Sequence, residues 1–166
     1  MHIGFGYDVH RLEEGHALVI GGVKIPHEKG CVAHSDGDVL IHALCDALLG
    51  AANLGDIGQH FPDTDPTWKG MASSRFLEET MKLLHDRDYQ VGNVDTTICL
   101  QKPKLGPYIE SMKAHLSGLV GTSAISIKAT TTEKLGFVGE EKGIAAYAVV
   151  LIKPRTESEE QDRKST

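Results

Sequence analysis

The chain has 166 residues, a formal net charge of −6 and an apolar content of 40%. This length suits one domain with a substantial core. The acidic balance argues against a general nucleic-acid binder, and no apolar run reaches the length of a membrane span. The cysteines Cys31, Cys45 and Cys99 are widely spaced without a CxxC pair, which predicts reduced thiols in a cytoplasmic protein.

The first strand is predicted over "HIGFGYDVH", where apolar residues alternate with small or polar ones. One face is apolar and is expected to pack on a core; it carries Ile3, Phe5, Tyr7 and Val9. The other face carries Gly4 and Gly6, followed by Asp8 and His10. A carboxylate and an imidazole therefore lie side by side, either as a polar surface edge or as two ligands awaiting a third.

A hairpin and a long helix follow this strand. In "HALVIGGVKIPH", Gly21 and Gly22 interrupt apolar strand material, which is typical of a tight turn. In the next segment Ser35 is predicted to cap a helix, with Asp38 three residues later in a capping-box arrangement, and Gly55 to end it. The apolar stripe of this helix consists of Leu40, Leu44, Ala47, Leu48 and Ala51.

The rest of the chain predicts a loop, two helices and three strands. "DIGQHFPDTDPTWKG" is a loop long enough to suggest a function. Helices are predicted from about Ser73 to Asp88 and from Pro107 to an end near Gly118 to Gly121. The strands are "NVDTTICLQ", "AISIKAT" and "GIAAYAVVLIK". The last is apolar on both alternating sets, which favours burial of both faces and hence subunit association.

Helices and strands mix in this order without strict βαβ alternation. The pattern predicts a single α+β domain over residues 1–154, with one sheet covered by helices on one face. Residues 155–166 are charged and polar, and they predict a disordered tail.

A third metal ligand is predicted on the first helix. Asp38, His42 and Asp46 recur every four residues and share one helix face, which taken alone also fits a solvated surface. Added to Asp8 and His10, His42 completes two histidines and a carboxylate, the donor set of an open zinc site. Asp38 and Asp46 then flank His42 as supporting residues, although an ordinary exposed carboxylate is an equal alternative for Asp46.

Two segments carry groups suited to binding phosphate. "AHSDGD" places His34 and Ser35 at the predicted helix start, where free N–H groups favour an anion; simple capping by Ser35 is compatible with this. "ATTTEKLGF" either continues a strand or uses hydroxyls, amides and Glu133 to hold a phosphate and a hard divalent ion.

A basic loop, "QKPKLGP", precedes the last helix, although Lys102 and Lys104 also fit ordinary surface lysines. Together these features predict a zinc-centred site for a phosphorylated small molecule. A zinc phosphohydrolase and a non-catalytic module held together by zinc are the alternatives. The second requires a closed site, and no fourth ligand is evident beside the three predicted ones.

Three blocks of the sequence together resemble one known family. "IGFGYDVHRL" is similar to its N-terminal motif G-x-G-x-D-x-H, and "SDGDVLIHALCDALLGAANLGDIGQHFPDTD" to its long signature. "KATTTEKLGF" is similar to its third block. By these residues the chain resembles the 2-C-methyl-D-erythritol 2,4-cyclodiphosphate synthase family over about residues 1–153.

This resemblance implies a homotrimer around a central β-prism, with active sites between neighbouring subunits. It implies that the 2-phosphate of 4-diphosphocytidyl-2-C-methyl-D-erythritol 2-phosphate attacks the β-phosphorus of the same molecule. CMP leaves and 2-C-methyl-D-erythritol 2,4-cyclodiphosphate forms, a lyase reaction of the non-mevalonate isoprenoid precursor pathway. Because the nucleophile is already an anion, no protein nucleophile or base is expected.

The resemblance also implies a metal set and a substrate set. The zinc ligands are Asp8, His10 and His42, and Glu133 holds magnesium or manganese between the substrate phosphates. The residues implied on the methylerythritol side, from the neighbouring subunit, are His34, Ser35, Asp56, Gly58, Phe61 and Asp63. Those implied around the cytidine and its phosphates are Leu100, Gln101, Lys102, Pro103, Lys104, Leu105, Ala129, Thr130, Thr131 and Thr132. Of all these, His34 and Thr131 are expected to position the transition state.

One run departs from the family pattern. Many members carry a basic residue shortly after the Gly-Phe of the third block, on the trimer axis, where it helps hold an isoprenoid diphosphate. Here "GFVGEEKG" places Glu140 and Glu141 before Lys142. Glutamates facing a common axis would repel a diphosphate, so the sequence argues against such binding.

Overall fold

The computed structural model describes residues 1–156, which fold as seven strands and five helices with two short 3-10 turns. The strands are β1 His2–Glu14, β2 Leu18–Ile20, β3 Val23–Ile25, β4 Lys29–Val32, β5 Tyr89–Cys99, β6 Ile125–Thr130 and β7 Gly143–Pro154. The helices are α1 Val39–Ala51, α2 Ile57–His60, α3 Ser73–His85, α4 Ile109–Val120 and α5 Gly136–Gly139. Most of the predicted disordered tail, residues 157–166, lies outside the described residues.

Five strands form one mixed sheet in the order β4–β1–β7–β5–β6. All neighbours are antiparallel except β5 and β6, which are parallel and joined through α4. Strands β2 and β3 form the predicted hairpin. Its turn residues Gly21 and Gly22 have φ of 58° and 75°, the left-handed pair that a tight type I′ turn requires.

Helix α1 lies directly on β1 because two strand positions lack a side chain. A Cβ on Gly4 would come 1.8 Å from the carbonyl oxygen of Ala47, and one on Gly6 would come 1.9 Å from that of Ala43. Only glycine permits this approach. The glycine face of β1 is therefore the core face, and the prediction that the apolar face packs on the core of this chain is wrong.

The opposite face of the sheet carries large apolar side chains that a single chain leaves exposed. Phe5 is 62% exposed, and the ring centroids of Tyr7 and Tyr147 lie 5.0 Å apart. The other members of this face are Ile3, Val9 and Val149. Helices α1, α3 and α4 pack on the glycine side, so helices cover one face of the sheet, as predicted. Burial of both faces of β7 does not occur within one chain and would need a partner.

The helix limits differ in detail from the predicted ones. Helix α1 is capped by Asp38, not by Ser35, and it ends at Ala51, before Gly55. The 56–70 loop contains α2 and a 3-10 turn over Pro66–Trp68. Within the described part of the chain, no helix is long and apolar enough to cross a membrane.

Candidate metal centre

Three predicted ligands converge where the polar end of β1 meets the first turn of α1. His10 Nε2 lies 2.9 Å from Asp8 Oδ2, His42 Nδ1 lies 3.2 Å from the same oxygen, and the two nitrogens are 3.1 Å apart. Asp8 and His10 share a strand face because they are two residues apart. The glycines upstream in β1 let α1 approach closely enough to add His42.

This triangle has the size and the polarity of a metal site. Tetrahedral zinc with metal–ligand distances of about 2.0–2.1 Å separates its ligand atoms by about 3.3 Å. The Oδ2 atom of Asp8 is buried, yet it accepts no well-aligned hydrogen bond from either imidazole. The two imidazole nitrogens face each other beside a carboxylate oxygen that lacks a hydrogen bond. This arrangement is better explained by a cation shared among the three atoms than by hydrogen bonds between them. The three residues therefore fit zinc.

The carboxylate and the imidazoles shift the pKa values of one another. Burial alone would raise the pKa of Asp8, but the neighbouring imidazoles outweigh burial and lower that pKa to about 2. Burial alone would lower the pKa of His42, but the carboxylate of Asp8 beside it outweighs burial and raises that pKa. Asp8 is therefore anionic at neutral pH, as a metal ligand must be.

The far side of the His42 ring is held by polar and aromatic neighbours. Its Nε2 lies 2.9 Å from the Oγ of Ser73 and 3.3 Å from the Oγ of Ser35. The ring of Phe76 packs with a centroid distance of 5.9 Å. Ser35 thus supports the imidazole from the loop before α1.

The two predicted supporting carboxylates act on the backbone. Asp38 is fully buried, and its carboxylate accepts hydrogen bonds from the N–H groups of Gly21, Gly22 and Ile41. Burial raises its pKa to about 6 against these hydrogen bonds. Asp38 therefore fastens the start of α1 to the β2–β3 turn and supports His42 only through the position of the helix.

Asp46 also binds a backbone group. Its Oδ1 accepts a hydrogen bond of 2.9 Å from the N–H of Ile57, the first residue of α2. Burial raises its pKa, because this single hydrogen bond only partly offsets the loss of solvent. Asp46 thus holds the loop beside the site, while the Nε2 of His42 contacts serine hydroxyls.

The predicted anion site at the helix start is largely filled by the chain's own acceptors. The N–H of Gly37 donates to the Oγ of Ser35, and the N–H of Asp38 donates to the carboxylate of Asp36. The N–H of Ile41 is taken by the cap. These three amides are therefore not free for a phosphate, because the sequence between Ser35 and Asp38 supplies acceptors of its own.

A cavity of about 510 Å³ opens beside the metal group. Five predicted substrate residues line it: His34, Ser35, Gly58, Phe61 and Asp63. Asp56 is not part of the lining, because its carboxylate caps α2 by accepting the N–H of Gln59 at 3.0 Å. The size is ample for a small phosphorylated ligand.

Most of the predicted cytidine residues line a second cavity, of about 440 Å³. They are Leu100, Gln101, Pro103, Lys104, Leu105, Ala129, Thr130 and Thr131. Lys102 points to Glu141 instead, with 3.9 Å between their charged atoms, and Thr132 donates to the carbonyl oxygen of Leu135 at 2.7 Å. The two cavities share no lining residue. Within one chain, the residues predicted for the methylerythritol side and those predicted for the cytidine therefore line separate cavities.

Glu133 lies in the turn that follows β6. Glu133 and Lys134 both adopt left-handed backbone, with φ of 53° and 65°, which is unfavourable for residues other than glycine. The N–H of Glu133 donates to Thr131 Oγ1, and that of Lys134 donates to Gln101 Oε1. These bonds hold the turn against the second cavity.

The cysteines are free thiols in the described structure, as predicted. Burial raises the pKa of Cys31 and of Cys45 to about 12, so both are protonated at neutral pH. Burial also raises the pKa of Cys99. Cys31 and Cys45 pack in the core as small apolar side chains, and Cys99 is half-buried.

Sequence reasoning missed several residues of the site. Trp68 and Phe76 form an aromatic wall with Phe61, whose ring centroid lies 4.9 and 5.1 Å from theirs. Ser73, which contacts His42, and Asp36 were also missed. Trp68 lies in the polar loop and Phe76 follows it in α3, and this aromatic content was the one available signal.

The fold and this centre define an α+β protein with a His/Asp/His group that can hold a metal ion beside a ligand-sized cavity. Residues 1–153 match the family model described as the YgbB family, and the chain belongs to that family. A protein of Thioalkalivibrio sulfidiphilus named 2-C-methyl-D-erythritol 2,4-cyclodiphosphate synthase is 60% identical over 154 residues, covering 92% of this chain and 96% of that protein. The family resemblance drawn from the sequence is thereby confirmed.

Solved structures agree with this assignment. A 2C-methyl-D-erythritol-2,4-cyclodiphosphate synthase in its CDP-bound form superposes with a TM-score of 0.85 at 44% identity, covering 91% of this chain and 99% of the other. The CDP complex of the Plasmodium falciparum IspF superposes with a TM-score of 0.81 at 36% identity, covering 93% and 97% of the two chains. The fold is therefore shared along nearly the whole described chain.

Proposed function

We propose that the chain is a cyclodiphosphate synthase that converts 4-diphosphocytidyl-2-C-methyl-D-erythritol 2-phosphate into 2-C-methyl-D-erythritol 2,4-cyclodiphosphate and CMP. The observation that carries the proposal is the Asp8–His10–His42 triangle beside a cavity, in a chain 60% identical to a protein of that name. The reaction makes this chain a phosphorus–oxygen lyase of isoprenoid precursor synthesis. A cytoplasmic location is part of the proposal, in keeping with the free cysteines.

The protein's task in this reaction is to fold a flexible polyanion into an attacking geometry. Zinc bound by the triangle supplies a Lewis acid for phosphate oxygens. Holding both reacting groups in one site can contribute up to roughly 7–11 kcal/mol to lowering the barrier. His34 and Ser35 lie in the cavity to orient the methylerythritol phosphate, and the aromatic wall of Phe61 limits water.

The cytidine is proposed to occupy the second cavity. Lys104 gives it a positive charge, while Leu100 and Leu105 offer apolar surface for the base. The CDP named in two related structures is a cytidine nucleotide of the kind this proposal requires. Thr131 stands between this cavity and the turn of Glu133, where it can position the diphosphate.

We propose that the chain is a homotrimer whose active sites lie between subunits. The support is the exposed apolar face of β1 and β7, which includes Phe5, Tyr7 and Tyr147. An apolar face of this kind is typical of a subunit interface. Sedimentation of the purified protein should give three times the mass of one chain; a monomer at micromolar concentration would contradict the proposal.

Phosphorus NMR tests the reaction directly. With the cytidyl-diphospho substrate, zinc and magnesium, we expect coupled resonances of a cyclic diphosphate together with CMP. Linear phosphate products would identify a zinc hydrolase instead. Absence of any turnover from a protein that binds zinc tightly would leave a non-catalytic zinc module.

Zinc binding should weaken as the solution becomes more acidic. Because Asp8 raises the pKa of His42, a proton competes with zinc for that imidazole from near-neutral pH downward. Asp8 itself, with a pKa of about 2, stays ionised throughout. Below the pKa of His42, the affinity for zinc should fall by about tenfold per pH unit for each proton that zinc must displace. Chelator competition between about pH 8 and about pH 5.5 measures this; a constant affinity would contradict it.

Glu133→Gln should keep zinc but lose activation by a second metal. The amide retains the shape of the side chain but removes the charge that a hard divalent ion prefers. We expect the magnesium or manganese concentration for half-maximal activity to rise by about tenfold or more, with zinc content unchanged. The matched control is Glu110→Gln, an exposed glutamate on α4. Identical metal titrations for Glu133→Gln and the parent would refute the role.

A further inference from the structure

We infer that Asp36 and Ser73 are positioning residues that fix the ring of His42 in the tautomer a metal needs. The carboxylate of Asp36 contacts the Oγ of Ser73, and that oxygen lies 2.9 Å from the Nε2 of His42. The Nδ1 of His42 faces Asp8 and His10. A three-residue relay therefore runs outward from the ligand triangle. The inference rests on the metal site of the proposed function.

The direction of each hydrogen bond in the relay follows from the chemistry of its ends. A carboxylate of Asp36 only accepts, so the hydroxyl proton of Ser73 points to it. The Oγ of Ser73 is then an acceptor toward the imidazole, and the Nε2 of His42 carries the proton. The lone pair of the neutral ring is left on Nδ1, which is the atom that faces the other two ligands.

The carboxylate that sets this direction is itself held in place. Asp36 Oδ2 accepts the backbone N–H of Ser73 at 3.0 Å, and Oδ1 accepts the backbone N–H of Asp38 at 3.1 Å. Both oxygens are thereby committed as acceptors. The relay also ties the start of α3 to the start of α1, so the ring is oriented by two helices at once.

The second serine near the ring is compatible with this assignment. Ser35 Oγ accepts the N–H of Gly37 at 3.2 Å and lies 3.3 Å from the Nε2 of His42. It is the more distant of the two hydroxyls, and its partner besides the ring is the N–H of Gly37, whereas the hydroxyl of Ser73 donates to a carboxylate. Ser73 is fully buried, so its hydroxyl faces the ring and Asp36 without competition from solvent.

The test is zinc affinity, measured on the full-length protein by competition with a chromogenic chelator. Ser73→Ala removes the acceptor of the Nε2 proton, and we expect zinc to bind about 10–100-fold more weakly. Asp36→Asn replaces one committed acceptor oxygen by a donor, and it should weaken zinc binding to a similar degree. Cobalt substitution gives a second readout, because the visible spectrum of a tetrahedral site should change in both variants.

The matched control is Ser74→Ala, which deletes the neighbouring hydroxyl on the same helix. That hydroxyl lies 2.7 Å from His115 Nε2, so the control also breaks a serine–histidine contact, but one away from the ligand triangle. We expect it to leave zinc affinity and the cobalt spectrum unchanged. Circular dichroism establishes which variants are folded.

The outcomes separate the relay from the metal site. If the parent binds zinc and folded Ser73→Ala and Asp36→Asn bind it equally well, the relay is refuted and the metal site stands. If the parent does not bind zinc, the metal site and the relay both fail. Weaker binding in Ser73→Ala and Asp36→Asn, with Ser74→Ala like the parent, supports the inference even where thermal stability falls in all three.

Discussion

His42→Ala should abolish turnover while the protein remains folded and associated. His42 supplies one of three ligand atoms, and the two that remain, from Asp8 and His10, both come from one strand. Replacing a residue that only supports a ligand typically costs about 10–100-fold in activity, so loss of the ligand itself should cost more than about 100-fold. Steady-state release of CMP and the zinc content of the purified variant measure the effect.

The control for this substitution is His16→Ala, an exposed histidine in the turn after β1. Its activity and zinc content should equal those of the parent. Sedimentation and circular dichroism must show that His42→Ala keeps its assembly. The catalytic assignment of His42 would be contradicted if His42→Ala lost its assembly. It would also be contradicted if the variant retained zinc and near-normal turnover.

Gly6→Ala should prevent stable folding, although it adds only one methyl group. The new Cβ would lie 1.9 Å from the carbonyl oxygen of Ala43, a backbone atom in the middle of α1 that cannot move without displacing the helix. Overpacking a core typically costs about 1–3 kcal/mol and more where backbone must shift, so we expect a loss of about 3 kcal/mol or more. Urea unfolding at fixed chain concentration measures it.

A second glycine-to-alanine change provides the control. Gly50 lies in α1, is exposed, and a Cβ there would meet nothing within 4 Å outside its own helix. Gly50 is the next-to-last residue of α1, and alanine is a better helix former than glycine, so Gly50→Ala should stabilise the protein by at most about 0.5–1 kcal/mol. Equal stabilities for Gly6→Ala and the parent would mean that β1 and α1 are not as close as described.

The convergence of Asp8, His10 and His42 could be predicted because it depends largely on short-range periodicity. Asp8 and His10 share a strand face at a spacing of two. His42 was added because it lies in a row of polar residues on one helix face and because two histidines and a carboxylate form a zinc donor set. The family motifs then identified the same residues. The fold class and the placing of helices on one face also followed from the order of elements.

The orientation of β1 could not be predicted by the usual rule that apolar residues face the core. Here the core face is formed by Gly4 and Gly6, because a helix backbone occupies the volume where side chains would stand. The apolar face stays exposed in one chain, and in the proposed trimer it would meet other subunits. A single sequence describes alternation but does not say which partner each face meets.

The roles of the acidic residues before α1 depended on distant partners. Asp38 was expected beside His42, but it binds the turn at Gly21 and Gly22. Asp36 and Ser73 are 37 residues apart, and their contact follows only from the packing of α1 against α3. Local patterns predict caps and faces, whereas such pairings arise from tertiary structure.

Because the apolar face with Phe5, Tyr7 and Tyr147 is exposed in a single chain, the stability of the protein should depend on its concentration. In the proposed trimer only folded chains associate, so by mass action each doubling of concentration draws more chain out of the unfolded pool. A dilute sample should therefore melt at a lower temperature than a concentrated one. For a newly made chain, the interval before it meets two copies of itself is the time of greatest risk of aggregation.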